Sequence, residues 1–240
     1  MKYKRILLKL SGEALKESNP NSIFGEESFK HILKAITLLH NNGIEIAIVV
    51  GAGNIYRGKM AAELGLERVP ADFMGMLGTM INAISIASAL RNNGIESVVY
   101  SPISPIEEVV KLYDKDDAIK SLSEGKVTFL AGGTGKPFFT TDTAATLRAI
   151  EVGCDAIFMA KNGVDGLYDD DPNKNPHAKF IKEITYNEIL ELKLQVMDLS
   201  AIELLLDKDI DIRIFSMSNF ANFEKIAKGE DVGSVCKKGK

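Results

Sequence analysis

One pattern constrains this chain more than any other: short, unbroken apolar runs that end at glycine or polar turns and alternate with segments of helical spacing. Arg5–Leu10, Glu45–Val50, Ser97–Ser101, Lys126–Ala131 and Asp155–Ala160 read as strands. Between them, Phe29–Leu39, Asp72–Asn92 (closed by Gly94), Ile106–Glu124 and Thr141–Val152 read as helices. The strands are continuous apolar runs rather than alternating ones, as expected when both faces of a sheet are covered. Strand, glycine loop, helix, strand is the order of a parallel sheet with helices on both faces. The expectation is an α/β fold: a three-layer αβα sandwich around a mostly parallel sheet.

After Lys161 the chain becomes turn-rich, with Gly166, Asp169-Asp170-Asp171-Pro172 and Asn175-Pro176, before Phe180–Ile184, a helix around Ser200–Asp207 and a strand at Ile212–Phe215. No linker, repeat or low-complexity segment divides residues 1–240, so a single domain is expected. The 240 residues carry 29 Lys+Arg against 33 Asp+Glu, a net charge of −4, which gives no electrostatic case for a nucleic-acid partner. Cys154 and Cys236 form no CxxC pair, and Cys154 lies in an apolar context that predicts a buried thiol. Met1–Ile6 runs into the first strand without an apolar leader, so a cytoplasmic protein is expected. Phe73–Leu90 is uncharged, but it contains Gly, Thr, Asn and Ser and is short for a bilayer span, so no membrane association is expected. A surface helix usually shows water a charged face, so this one is expected to lie against a second subunit, with Gly, Ala, Ser, Thr and Met facing outward.

Three strand ends carry glycine turns: Leu10-Ser11-Gly12, Gly51-Ala52-Gly53 and Gly132-Gly133-Thr134-Gly135. In an open parallel sheet, ligands bind outside the carboxyl ends of the strands. Glycines there let backbone N–H groups approach phosphate oxygens. Two familiar phosphate motifs fail. Gly135-Lys136 is followed by Pro137, with Leu130 where a Walker A loop needs glycine, and Tyr56 stands where a dinucleotide fingerprint needs one. Lys9, inside an apolar strand, is either a cation facing phosphates or an edge-strand lysine reaching water. Asp142 is either a helix-end charge or a site carboxylate. Lys161 at a strand end is a further cation or an exposed lysine. His31, His40 and His177 fall in no metal or triad spacing and are placed on the surface.

Taken together, Lys9-Leu10-Ser11-Gly12-Glu13-Ala14-Leu15, Gly51–Gly58, Ala71-Asp72-Phe73-Met74-Gly75-Met76, Gly133–Asp142, Val164-Asp165-Gly166-Leu167-Tyr168 and Met197-Asp198-Leu199 resemble the bacterial-type uridylate (UMP) kinases of the amino acid kinase family. The resemblance spans nearly the whole chain. It implies transfer of the ATP γ-phosphoryl group to UMP with Mg²⁺, in a homohexamer, with the acceptor site mainly in the N-terminal part and the ATP site mainly in the C-terminal part. By resemblance, Lys9, Leu10, Ser11, Gly12, Gly53, Arg57, Asn162, Tyr168 and Asp171 fall on the ATP side. Ala52, Asp72, Thr134, Gly135, Lys136, Pro137, Phe138, Phe139, Thr140 and Thr141 fall on the UMP side. Lys9, Arg57, Asp142 and Asp198 match the catalytic positions, and direct metal ligands are not assigned. Asp72 also has a reading from its position alone, as the N-cap of the long helix. Ala52 stands where many members carry glycine. Such enzymes can answer to allosteric nucleotides, UTP as inhibitor and GTP as activator. The segment Ser18–Phe24 lacks the glycine-rich look of GTP-activated members, which argues against GTP activation. Two other readings remain: a family member acting on a carboxylate or carbamate, and a nucleotide sensor without catalysis.

Overall fold

A computed structural model describes residues 1–16, 22–161 and 163–239. Most of the segment read against GTP activation, and Asn162, lie outside the described residues. In chain order the elements begin with β1 (Arg5–Leu10), α1 (Glu26–Asn41), β2 (Glu45–Val50), α2 (Gly58–Glu63), α3 (Arg68–Asn92), β3 (Ser97–Ser101) and β4 (Lys111–Leu112). They continue with α4 (Lys115–Ser123), β5 (Val127–Leu130), α5 (Thr141–Glu151), β6 (Ala156–Lys161), β7 (Leu167–Tyr168), β8 (Phe180–Ile181) and β9 (Glu183–Thr185). The last are α6 (Tyr186–Leu192), α7 (Leu199–Glu203), β10 (Asp211–Ser216), α8 (Ala221–Lys228) and β11 (Ser234–Lys237).

Nine strands form one sheet in the order β4-β3-β5-β2-β1-β6-β10-β11-β9, with β7 and β8 in a separate hairpin. All pairs in the large sheet are parallel except β10–β11. Alternation along β1 shows how the layers are divided. Ile6, Leu8 and Leu10 enter a core shared with α1, α3 and α8, whereas Leu7 enters the opposite core, shared with α4 to α7. The expected three-layer sandwich is thus present. Lys9 points to the same side as Leu7, toward α5. Because β1 lies between β2 and β6, Lys9 is on a central strand, and the edge-strand alternative falls. Order reverses at β1: the chain leaves toward β2 on one side and returns at β6 on the other. The resulting crevice at the carboxyl ends is where such sheets bind ligands.

Several expectations are corrected. The helix read over Ile106–Glu124 starts only at Lys115. Asp114 caps it, its carboxylate accepting the Asp117 N–H at 2.9 Å, and Ile106 and Val110 instead form a tight antiparallel bridge. The long helix begins one turn before Asp72, at Arg68, because Pro70 falls in the first turn, where a missing N–H costs nothing. Nothing in the sequence reading covered α6, although Thr185 and Glu188 form a capping box at its start. The outward face of α3 also differs from expectation. Met74 faces outward as expected, but Ala83 and Ala87 are buried toward the sheet, and the large side chains Leu77 and Ile81 face outward beside Met74. By length and composition α3 could cross a membrane, but half of its apolar stretch is buried in the fold. Cys154 and Cys236 are buried free thiols, and burial pushes both upward, Cys236 to about 12. His31 and His177 are exposed, whereas His40 is half-buried and its Nε2 lies 3.1 Å from the Gly125 carbonyl oxygen.

Candidate active site

The three glycine loops follow β1, β2 and β5, which lie close together in the sheet. The first two press face to face. A Cβ on Gly12 would sit 2.5 Å from the Gly53 nitrogen and 2.6 Å from the Gly51 oxygen, so only glycine permits this approach. The Gly51–Gly53 loop is pinned from behind by a buried amide pair, Asn82 on α3 and Asn54 in the loop itself. Asn82 donates to the Gly51 carbonyl at 2.7 Å, and Asn82 and Asn54 exchange hydrogen bonds of 2.8 and 3.0 Å. A Cβ on Gly78 would lie 2.8 Å from that of Ala52, so glycine at 78 makes room for alanine at 52.

Ala52, Gly53, Arg57, Asp72, Thr134, Phe139, Thr140 and Thr141 line one cavity of about 390 Å³, together with Arg68, Tyr56, Met76 and Thr79. Asp72 sits in the second turn of α3. The backbone N-cap is Glu67, so the capping alternative for Asp72 falls. Its carboxylate accepts Arg68 Nε at 2.8 and 2.9 Å and the Phe138 N–H at 2.7 Å. Arg68 also lies over the Phe138 ring, 5.7 Å from its centroid. Sequence reasoning missed Arg68, although its i,i+4 spacing to Asp72 put the two on one helix face. Lys136 and Phe138 are exposed beyond the cavity rim, with Gly135 and Pro137 beside them, and Phe138 holds a left-handed backbone at φ +73°.

Past Thr141 the cavity gives way to a charged group. Asp142, in the first turn of α5, pairs with Lys9 at 2.7 Å, and both side chains are about four-fifths buried, at 21% and 18% exposure. The N-cap of α5 is Thr140, not Asp142. Lys9, Ser11, Glu13, Ala14, Met159, Ala160 and Lys161 line a second cavity. Arg57 reaches across to Glu13 at 2.9 Å, linking the two cavities. The Ser11 hydroxyl accepts the Glu13 N–H. Leu10 contributes only backbone here: its side chain is in the core and its carbonyl accepts the Gly51 N–H. Lys161 is held below the ordinary lysine value, first by burial and then by the Lys9 charge.

Lys161 also lines a third cavity, of about 500 Å³, with Tyr168, Asp171 and Lys193. Tyr168 stands edge-on to Phe180 at 5.4 Å and donates to Asp165 at 2.7 Å. Asp171 accepts the Asn173 N–H and pairs with Lys174 at 3.2 Å, which holds its carboxyl below the usual range. Asp198 is exposed and outside these cavities. Its carboxylate accepts the Thr140 hydroxyl, which ties it to the start of α5.

A connected row of cavities at the carboxyl ends of a parallel sheet, floored by glycine loops and bridged by lysines, is the architecture of a nucleotide phosphotransferase. The chain belongs to the amino acid kinase family, whose sequence model matches residues 4–216. It is 45% identical to a uridylate kinase of Mesoplasma florum over 95% of both chains. The structure of a UMP kinase from Bacillus anthracis superposes with a TM-score of 0.95 at 38% identity, covering 99% of this chain and 97% of that one. A UMP kinase from Ureaplasma parvum superposes with a TM-score of 0.91 at 34% identity, covering 99% and 100%.

Proposed function

We propose that this chain transfers the γ-phosphoryl group of ATP to UMP, giving UDP and ADP, as a step in pyrimidine nucleotide synthesis. The observation that carries this reading is the Lys9–Asp142 pair between two cavities, beside the Arg57–Glu13 bridge. UMP occupies the cavity of Asp72 and Thr134–Thr141, and ATP lies along Lys9–Gly12, Lys161, Tyr168 and Asp171. The acceptor site is thus built mainly from the N-terminal part of a single domain and the donor site mainly from the C-terminal part.

The nucleophile is a phosphate oxygen with a second pKa of about 6, already anionic at neutral pH, so no general base is needed. The difficulty is bringing two anions together. Lys9, Arg57, Lys161 and the loop N–H groups lower that repulsion and match the charge spread over the transferring group. Asp142 orients Lys9, and Asp198 braces Thr140 at the end of the acceptor loop. Asp72 meets the ribose hydroxyls. Among the described residues, no group of three or more His, Cys, Asp or Glu is placed to hold a metal. That donor set suits Mg²⁺ arriving on nucleotide phosphates and retaining water ligands rather than sitting in a protein cage. When bound, Mg²⁺ supplies further neutralisation of phosphate charge. The active form is a cytoplasmic homohexamer, and the exposed Met74–Leu77–Ile81 stripe supports a contact between copies along α3.

The test is a coupled assay of ADP release with Mg²⁺ and ATP against UMP, CMP, acetylglutamate and carbamate. Turnover with UMP is expected. Turnover only with a carboxylate or carbamate would assign another member of the family, and no ADP with any acceptor would leave a nucleotide sensor.

A further inference from the structure

The loop after β5 is held from outside the acceptor cavity by a buried cation with no part in the chemistry above. Arg148, on the third turn of α5, is only 4% exposed. Its Nη2 donates to the Gly133 carbonyl at 3.2 Å, and its Nη1 pairs with Glu151 at 2.5 Å. The Tyr113 ring stacks on the guanidinium, 3.9 Å from its centroid, and the Tyr113 hydroxyl donates to the same Glu151 oxygen at 2.7 Å. Arg148 Nε is buried without a partner. A buried ion pair of this kind is not a cheap way to stabilise a fold, since apolar packing of equal volume commonly serves better.

Its position suggests what it is for. Gly132 and Gly133 both have left-handed backbones, at φ +73° and +60°, so this stretch could flip its peptides with little steric resistance. Three contacts fix it. The Gly132 N–H donates to Thr79 Oγ1 at 2.8 Å, the Gly132 carbonyl accepts the Gly135 N–H at 3.1 Å, and the Gly133 carbonyl, which sets the next peptide, is held by Arg148. In a trans peptide the C=O and the following N–H point in opposite directions. With the Gly133 carbonyl turned out to Arg148, the Thr134 N–H is turned the other way, toward the cavity that Gly133 and Thr134 line.

We propose that Arg148, braced by Glu151 and Tyr113, is a positioning residue for the acceptor. It sets the orientation of the Gly133–Thr134 peptide and so presents the Thr134 N–H to the acceptor nucleotide. This rests on the reading that the cavity takes UMP.

The experiment compares the wild type with Arg148→Lys and Tyr113→Phe in steady-state kinetics for both substrates, alongside thermal unfolding. A lysine keeps the charge but cannot span Glu151 and Gly133 together. Arg148→Lys should raise the KM for UMP about tenfold and leave that for ATP within about twofold. Tyr113→Phe keeps the ring and loses only the bond to Glu151, so it should move the same constant the same way by about threefold. Equal rises for both substrates, or a fall in Tm with both KM values unchanged, would make Arg148 merely structural and overturn the inference. If Arg148→Lys does not fold, Tyr113→Phe decides, with a selective rise for UMP upholding the inference and wild-type constants overturning it. A wild type without UMP turnover would remove the proposed function and this inference together, whereas an active wild type with unselective variants removes only the inference.

Discussion

Lys9→Met tests the centre of the mechanism with little disturbance to packing. The lysine side chain is 18% exposed on a central strand, and methionine fills most of the same volume with flexible apolar atoms. The lost function is the charge. Removing one preorganised contact to charge developing in a transition state costs about 3 kcal/mol, a fall in kcat of roughly a hundredfold. Asp142 is left without its 2.7 Å partner, but Lys161 is close enough to act on it, so the fold should survive with a loss of about 1 kcal/mol.

The same variant has a signature in pH. Lys161 sits below the ordinary value of 10.5 because of burial first and the Lys9 charge second, while Asp142 opposes both. Above that lowered value the folded chain has released a proton that the unfolded chain still holds, up to the ordinary value. Lys161 therefore makes stability rise with pH across this window. In Lys9→Met the window narrows, and the alkaline fall of kcat moves to higher pH. In Asp142→Asn the fall moves to lower pH. ADP release followed from neutral to alkaline pH, with circular dichroism of each variant, gives both readings. Intact dichroism with kcat within about threefold of the wild type would remove Lys9 from the mechanism.

Asp72→Asn should raise the KM for UMP more than that for ATP, because the carboxylate faces the acceptor cavity; matched rises in steady-state kinetics would dismiss a ribose contact. Gly12→Ala places a methyl against two backbone atoms of the Gly51–Gly53 loop that cannot yield. It should cost about 2 kcal/mol, a fall of roughly 6 °C in Tm by calorimetry, together with most activity. Ile81→Lys puts a charge on the exposed stripe of α3 and should dissociate the proposed assembly in light scattering without unfolding the subunit. A native protein that is already monomeric at micromolar concentration would refute the α3 contact.

The sequence made the large sheet legible because β1, β2, β3, β5 and β6 are continuous apolar runs, a pattern that burial on both faces imposes. Lys9 stood out for the same reason, as a charge where the pattern allows none. What stayed hidden depended on partners distant in the chain. Arg148 reads as an ordinary charge near the end of a helix until the fold brings Gly133 and Tyr113 against it. Asn82 reads as an interruption of an apolar helix, yet its amide is what holds the Gly51–Gly53 loop. Asp72 looked like a helix cap because the sequence signal for a helix start is local, and Pro70 moved that start back by a turn.

These hidden residues share a logic. A glycine loop that lets phosphate approach the backbone is floppy for the same reason that it is useful: it has no side chains of its own to fix it. Two of the three loops are therefore fixed by polar groups from a neighbouring element. Asn82 serves the loop after β2, through the Gly51 carbonyl and the loop's own Asn54, and Thr79 and Arg148 serve the loop after β5. Thr79 and Asn82 lie one turn apart on α3, so a single helix sets two loops that must converge on one acceptor. The polar residues of an otherwise apolar helix follow from that arrangement. The uncharged stretch of α3, Phe73–Leu90, can pack on the sheet and present an apolar outer stripe, while Thr79 and Asn82, each with a partner, preorganise the site.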